Sequence, residues 1–183
     1  SLNVAFIAML IAKEAGWEPI AIQDAGLAGL VHDIGEMKIP TQITRKKTEL
    51  TKAELSYLRM HPNYSYEQLS HINAFSKDVR IAVQQHHECL DGSGYPIGLK
   101  GEQISLIARL IGIVDCYEES LHPRNGVITL TPNQVIAGLF KKADKQYDKA
   151  FIQLLIKVVG VYPPGSFVTL SDGIIGLVMS SEP

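Results

Sequence analysis

Residues 86–96 read His86-His87-Glu88-Cys89-Leu90-Asp91-Gly92-Ser93-Gly94-Tyr95-Pro96, and this stretch decides the fold. It joins two adjacent histidines to an acidic, glycine-rich turn. In the helix that precedes it, apolar residues recur at a spacing that places His86 on the buried face and His87 about 100° further round. Two imidazoles at a helix end, one of them facing inward, are unfavourable in a protein core unless a ligand binds them. The stretch therefore predicts a ligand site at the end of a helix.

The turn after the histidines is suited to binding an anion. Gly92 and Gly94 can adopt positive φ, which would bring backbone N–H groups close to a negative group. Tyr95 and Pro96 would give the turn a rigid aromatic wall. The alternative is a purely structural turn that joins two helices.

His32 and Asp33 form a second group of candidate ligands. Apolar spacing predicts a helix from about Pro19 to Gly35, with this pair near its C-terminal end. His32 alone could be a core-edge histidine held by a hydrogen bond. Asp33 favours a ligand site, because a carboxylate beside an apolar stripe is costly to bury unless it is paired or bound to a metal.

His61 and Asp115 complete the set of candidate ligands. A helix with a capping box at its start runs to His61, where Pro62 restricts the backbone and predicts a break. Asp115 lies at the edge of the apolar stripe of a helix that begins at Ser105. The alternatives are that His61 caps a helix and that Asp115 pairs with Arg109.

The combined set of imidazoles and carboxylates predicts a metal centre. Such ligands suit Mn, Fe, Zn or Ni better than Mg, which prefers oxygen ligands. The set exceeds what one tetrahedral zinc needs, so a two-metal centre is the simplest interpretation. Two ions can activate water at neutral pH and hold the oxygens of a displacement at phosphorus, which favours phosphate ester hydrolysis. The candidate ligands are His32, Asp33, His61, His86, His87 and Asp115.

Composition limits the partners. The chain has 183 residues, 46% of them hydrophobic, which is enough for one buried core and too few for two ordinary domains. Its 17 basic and 19 acidic residues give a net charge of −2, so no positive field favours long nucleic acid or an anionic membrane. Cys89 and Cys116 do not make a disulfide framework and fit a reducing, cytoplasmic setting. No apolar run reaches the roughly 18 residues that a membrane span needs.

The remaining patterns predict an all-α protein, a helical bundle with a small C-terminal β-hairpin. Helical spacing continues to about residue 160, and apolar runs on either side of Ser171-Asp172-Gly173 predict a hairpin over about residues 166–179. One domain over residues 1–183 is the default organisation. Because Ser1 leads at once into an apolar helical pattern, we expect the N-terminal part of the domain to precede it.

These blocks together resemble HD-GYP domains, which are bacterial metal-dependent phosphodiesterases of the HD superfamily that act on cyclic di-GMP. The likeness covers nearly the whole chain and keeps the order and spacing of the family's blocks. The blocks are residues 27–35 (LAGLVHDIG), His61-Pro62, residues 86–96, residues 109–115 (RLIGIVD) and residues 160–166 (GVYPPGS). The resemblance implies an HD-type helical bundle that hydrolyses cyclic di-GMP to pGpG or GMP in bacterial second-messenger signalling.

The resemblance also implies a role for each candidate residue. The six candidate ligands match the family's metal ligands, with Asp33 bridging two divalent ions, Fe or Mn. Gly94 and Tyr95 would lie against the substrate, and Arg124 matches a basic residue that meets its phosphate. The family's first histidine ligand would fall before Ser1 and leaves room for a third ion.

One departure from the family pattern concerns catalysis. Glu36 stands where the family usually has a lysine that hydrogen-bonds a phosphate oxygen, and an anion is not a conservative replacement there. Catalysis is therefore expected to depend on Asp33 and Glu36, with Lys38 as an alternative cation. The segment after Arg124 also lacks a second basic residue that the family often carries.

A rival interpretation is a degenerate domain that binds a cyclic dinucleotide or a protein without hydrolysing it. A general HD-type nucleotide phosphohydrolase is a third, which Gly94-Tyr95-Pro96 disfavours.

The resemblance suggests partners as well. A cyclic dinucleotide is the expected substrate. GGDEF-type or other signalling proteins are candidate partners for the Gly94-Tyr95-Pro96 loop. A helix that precedes Ser1 is a candidate element for homodimerisation.

Overall fold

Nine helices and two short strands make up the described part of the chain. This computed structural model describes residues 1–46, 48–123, 130–160, 167–169 and 173–179. The elements are α1 (Leu2–Glu14), α2 (Pro19–Val31), α3 (Thr41–Thr44), α4 (Lys52–Leu58), α5 (His61–Ser70), α6 (Lys77–Gln85), α7 (Leu106–Leu121), α8 (Pro132–Lys141), α9 (Lys149–Val159), β1 (Phe167–Thr169) and β2 (Ile175–Leu177), with 3₁₀ turns at Ile34–Lys38 and Gly101–Gln103. The predicted all-α bundle is confirmed.

Polar caps fix where several helices begin. The Ser76 hydroxyl accepts a hydrogen bond from the Val79 amide at 3.1 Å, and the Ser105 hydroxyl accepts one from the Ala108 amide at 3.1 Å. Such bonds satisfy amides that have no partner in the first turn of a helix. Side-chain caps also precede α4, α8 and α9, at Thr51, Thr131 and Asp148.

The central element is α7, which packs against α1, α2, α6, α8 and α9. Four of its aliphatic side chains, Leu110, Ile111, Ile113 and Val114, are fully buried. Burial of each such side chain stabilises the fold by about 1.5–3 kcal/mol. Asp115 directly follows them and is only 5% exposed, so the core fixes the position of this carboxylate.

The second helix ends earlier than its spacing predicts. The predicted helix to Gly35 is wrong, because α2 stops at Val31 and the chain turns into the 3₁₀ segment. In a continuing α-helix the amide of Gly35 would bond to the carbonyl of Val31. Here it donates to the Ser65 hydroxyl at 2.9 Å, and that hydroxyl donates to the His32 carbonyl at 2.7 Å. A contact with α5 therefore ends the helix and places His32 and Asp33 at its tip.

The strands β1 and β2 pair antiparallel, with Val168 opposite Gly176. This pairing agrees with the predicted C-terminal hairpin, although each strand is only three residues long. Within the described ranges, none of the helices combines the length and the apolar character that crossing a bilayer requires.

Candidate metal centre

Two glycines let the segments that carry the predicted ligands approach one another. A Cβ on Gly112 would lie 2.4 Å from the His86 carbonyl oxygen, and a Cβ on Gly35 would lie 2.1 Å from the His61 carbonyl oxygen. Real Cβ atoms do not tolerate such distances, so both positions need glycine. The glycine in α7 brings Asp115, one turn further on, towards His86.

Three of the histidines are attached to helix ends in the same way. Each ring donates a hydrogen bond from Nδ1 to the carbonyl three residues earlier, in the last turn of α2, α4 or α6. These carbonyls have no amide partner within their helices, so the rings satisfy them. The bonds are His32 to Gly29 at 2.8 Å, His61 to Leu58 at 2.9 Å and His86 to Val83 at 2.7 Å.

All six predicted ligands converge on one place. Their ligand atoms form two groups, in each of which every atom lies within 4.8 Å of the others, and His86 belongs to both. The first group is Asp33, His61, His86 and His87, and the second is His32, His86 and Asp115. His32, His61 and His86 are 1%, 3% and 1% exposed, so the ligand atoms sit largely out of water.

Asp33 faces both groups. One of its carboxylate oxygens lies 3.1 Å from Nε2 of His32, and the other lies 3.4 Å from Nε2 of His61 and 3.8 Å from Nε2 of His86. Asp115 approaches the same nitrogen of His32, at 3.2 Å from Nε2. A carboxylate whose two oxygens face different histidines is well placed to bridge two cations.

The protonation of the rings favours a cation. A carbonyl oxygen only accepts, so Nδ1 of His61 and of His86 must carry the proton and Nε2 of each neutral ring carries a lone pair. Yet the two Nε2 atoms are 3.4 Å apart, where neither can donate to the other. A divalent ion that accepts both lone pairs removes this conflict, and a second hydrogen bond that orients the ring is usual for metal-bound histidine. The residues present therefore fit a metal centre.

The histidines of the cluster differ in pKa because their electrostatic surroundings differ. Burial opposes ionisation of His32, but hydrogen bonds to Asp115 and Asp33 outweigh it and raise the pKa of His32 to about 10. Burial and the charge of His32 lower the pKa of His86 to about 3. Burial and His86 likewise hold the pKa of His87 well below its usual value. Burial also opposes ionisation of Asp33, but the hydrogen bond from His32 and the charge of that ring keep the pKa of Asp33 well below the usual range.

A cavity of about 460 Å³ opens beside the cluster. Its wall includes His86, His87, Tyr95 and Asp115. The Tyr95 ring stacks on the His87 ring with centroids 4.6 Å apart and an angle of 23°. Burial raises the pKa of Tyr95, so its hydroxyl stays neutral and can donate a hydrogen bond. The cavity can therefore hold a ligand that contacts both the cluster and the tyrosine.

The loop that carries Tyr95 is held by Glu88, a residue that the sequence interpretation missed. This carboxylate is 6% exposed and accepts hydrogen bonds from the amides of Ile97, Gly98 and Leu99 at 2.7–3.0 Å. The available signal was an acidic residue directly after a buried histidine and before a glycine-rich turn, since such a carboxylate needs donors.

Glycine serves different purposes at the two positions of the turn. The predicted positive φ is confirmed at Gly92, whose φ is +82°, and is wrong at Gly94. A Cβ on Gly94 would instead lie 2.4 Å from the Cys89 amide nitrogen and 2.5 Å from the His87 carbonyl oxygen. Gly94 is therefore required by close packing of the loop on the chain that carries the histidines.

Other predicted residues lie away from the cavity or outside the description. Glu36 is half-buried on the 3₁₀ turn and does not line the cavity. Lys38 bonds to Glu67 at 2.8 Å and does not line the cavity. The alternative pairing of Asp115 with Arg109 is wrong, because the Arg109 guanidinium binds the carbonyls of residues 101 and 104. Arg124 falls outside the described residues.

Arg59 is a second residue that the sequence interpretation missed. It lines the cavity, and its guanidinium lies 5.2 Å from the centre of the Tyr95 ring. The available signal was its position two residues before His61, between the end of α4 and the start of α5.

Comparison with known proteins agrees with this geometry. Residues 3–151 match a protein-family model described as HD domain. A cyclic di-GMP phosphodiesterase of Pseudomonas aeruginosa is 33% identical over 182 residues, 100% of this chain and 44% of that protein. A 3'3'-cGAMP-specific phosphodiesterase of Vibrio cholerae is 35% identical over 137 residues, 74% of this chain and 31% of that protein.

A solved structure shows the same fold. An HDG"Y"P protein from Bdellovibrio bacteriovorus superposes with a TM-score of 0.69 at 20% identity, covering 86% of this chain and 50% of that one. The chain spans about half or less of the length of each of these three proteins. The resemblance indicated by the sequence motifs is confirmed.

Proposed function

The chain belongs to the HD domain family, and we propose that it is a metal-dependent phosphodiesterase that hydrolyses cyclic di-GMP to pGpG or GMP. The observation that carries the proposal is the convergence of six histidine and aspartate side chains in two overlapping groups that share His86. A centre of this kind beside an open cavity suits hydrolysis of a phosphodiester. The name of the Pseudomonas aeruginosa relative supports cyclic di-GMP as the substrate.

Two divalent ions fit the two groups. His61, His86, His87 and Asp33 would hold one, and His32 and Asp115 would hold the other, with Asp33 as the bridge. Imidazole-rich ligand sets favour Fe or Mn over Mg. A third ion would need further ligands. When bound, the ions supply positive charge at a phosphoryl oxygen and lower the pKa of water.

The side chains of the chain itself position the substrate. The rings of His32, His61 and His86 are fixed by their Nδ1 bonds, so their Nε2 atoms need no rearrangement when the site is filled. Tyr95 offers a buried hydroxyl and a ring face, and Gly94 allows the loop to approach closely. We assign Arg124 to a substrate phosphate, as the family resemblance implies.

A binding module without catalysis is the second candidate, and Glu36 favours it. A carboxylate near the reacting phosphodiester would oppose its negative charge, and Lys38 is held by Glu67. If this candidate holds, the protein binds cyclic di-GMP or a signalling protein and the metal ions are structural.

The setting and partners are part of the same proposal. We place the protein in a bacterial cytoplasm, where its two free cysteines, Cys89 and Cys116, stay reduced. The Gly94-Tyr95-Pro96 loop is the proposed contact for GGDEF-type or other signalling proteins. The proposed unit is one domain over residues 1–183.

A turnover assay tests the proposal. The protein is loaded anaerobically with Fe(II) or Mn(II) and given cyclic di-GMP, pGpG, 3'3'-cGAMP and mononucleotides. We expect cyclic di-GMP to be cleaved. Asp33→Asn should reduce turnover by at least about 100-fold, since even partners outside the ligand shell typically contribute about 10- to 100-fold.

Two further variants sharpen the assay. Asp78→Asn, at an exposed aspartate on α6, is the matched control and should retain turnover. Glu36→Lys should increase turnover if Glu36 weakens phosphate binding. Binding of cyclic di-GMP without turnover by metal-loaded wild type would support the binding module and exclude the enzyme.

A further inference from the structure

The wall of the cavity carries little positive charge. Among the described residues that line it, Arg59 is the one with a permanent positive charge. The same wall holds the carboxylates of Glu88, Asp115 and Glu119. A cyclic dinucleotide brings two phosphodiester charges into this space, one for each half of its ring.

Arg59 is available for a ligand. Its guanidinium lies over the Tyr95 ring, 5.2 Å from the centroid, and in the described part of the chain no carboxylate forms an ion pair with it. A cation over an aromatic ring is held in place while its N–H groups remain able to donate. Planar guanidinium groups bind phosphate oxygens through paired hydrogen bonds.

The position of Arg59 suits a phosphate that is away from the metal cluster. Tyr95 connects the two places, because its ring stacks on His87 at 4.6 Å and also carries the guanidinium. Arg59 and His87 thus contact the same tyrosine ring, and Arg59 lies beside the cluster without belonging to it. A phosphodiester held at the cluster would leave the other phosphodiester of the same cyclic substrate on the side of Tyr95.

We propose that Arg59 is a substrate-positioning residue that binds the phosphodiester which is not being cleaved. This inference rests on the proposed function, because it needs a substrate with two phosphodiesters. The family usually has a lysine at the position of Glu36. In this proposal Arg59 supplies part of the positive charge that such a lysine would bring to the substrate. The contact is to the phosphate, so it should not depend on which base the substrate carries.

The experiment compares substrates with one and with two phosphodiesters. Mn(II)-loaded wild type, Arg59→Ala, Arg59→Lys and the control Arg45→Ala are assayed with cyclic di-GMP, cyclic di-AMP and bis(p-nitrophenyl) phosphate. Arg45 is exposed and does not line the cavity, so its removal causes the same change in net charge. Dissociation constants for both cyclic dinucleotides are measured in parallel by calorimetry.

We expect Arg59→Ala to weaken binding of both cyclic dinucleotides about 10- to 100-fold, the loss typical of a charge-assisted hydrogen bond. The value of kcat should change less than about twofold, because bound substrate still reaches the cluster. Hydrolysis of bis(p-nitrophenyl) phosphate, which has one phosphodiester, should be unchanged. Arg59→Lys should recover most of the affinity, and higher salt should reduce the difference from wild type.

Other outcomes overturn the assignment in distinguishable ways. Equal loss with bis(p-nitrophenyl) phosphate would show a structural role, and a loss confined to cyclic di-GMP would show recognition of guanine. Unchanged affinity in Arg59→Ala would refute the contact while leaving the phosphodiesterase intact. If wild type binds cyclic di-GMP without cleaving it, the proposed function fails and the dissociation constants still decide the role of Arg59. If wild type binds no cyclic dinucleotide, both are wrong.

Discussion

Three buried histidines share one arrangement, in which Nδ1–H donates a hydrogen bond to a carbonyl and Nε2 faces the cluster. The carbonyls belong to the last turns of three helices, where the helix dipoles place partial negative charge. Cations are favoured at such positions. His87 and the two aspartates then complete the set of ligand atoms.

Metal binding should release a proton from His32. With a pKa of about 10, this ring holds a proton at pH 8, and an ion at Nε2 must displace it. His86, with a pKa of about 3, and His87, with a lowered pKa, are already neutral at that pH and release none. We expect about one proton from these three rings per protein, measured by calorimetry in buffers of different ionisation enthalpy.

The same shift sets the pH dependence of the ion-free protein. The pKa of His32 is raised in the folded state, so its contribution to stability is full below about pH 6.5 and is lost as the pH rises through about 10. The ion-free protein should lose stability over that window, whereas metal affinity should increase. Metal affinity that is the same at pH 7 and pH 9, with no proton released, would contradict the assignment of His32.

At the scale of elements, α5 supports the ligands of the segment after α2. The buried Ser65 hydroxyl bonds to both the Gly35 amide and the His32 carbonyl, which links α5 to that segment. His61 opens the same helix. One helix therefore supplies a ligand and also orients two others.

Removal of the Ser65 hydroxyl should affect both stability and metal binding. Ser65→Ala leaves the Gly35 amide and the His32 carbonyl without partners in a buried place, at a cost of about 1–3 kcal/mol in the free energy of unfolding. Misplacement of His32 should lower metal affinity about 10- to 100-fold. Denaturant unfolding and metal titration measure the two effects.

The matched control for this variant lies on the same helix. The Ser70 hydroxyl bonds only to the Tyr66 carbonyl one turn earlier, so Ser70→Ala should leave metal affinity unchanged. Equal metal affinity in Ser65→Ala and wild type would show that the segment after α2 is held without this bond.

The sequence predicted the features that depend on local contacts and missed those that depend on contacts between residues far apart in the chain. Helical spacing placed His86 on an inward face and Asp115 at the edge of an apolar stripe, and the structure brings them together. The roles of Ser65, Glu88 and Arg59 were not predicted, because each depends on contacts that spacing does not encode. Ser65, for example, binds an amide 30 positions earlier in the chain. The end of α2 was misplaced for the same reason, since a distant hydroxyl captures the amide of Gly35.

At the scale of the whole molecule, the bundle holds the cluster and the C-terminal strands lie apart from it in sequence. The family match covers residues 3–151, and β1 and β2 lie beyond it. Single-domain organisation over residues 1–183 therefore remains a prediction. The ligands come from segments between residues 32 and 115, and all of them pack on or beside α7 or α5.

Cyclic di-GMP turnover measured against bound metal tests the central claim most directly. Protein stripped with a chelator is titrated anaerobically with Mn(II), and metal content and turnover are measured on the same samples. The account predicts that turnover rises with bound metal, that it saturates at about two ions per chain, and that Asp33→Asn neither fills the site nor turns over. Stripped protein that cleaves cyclic di-GMP as fast as loaded protein, or fully loaded protein that cleaves no phosphodiester, would contradict it.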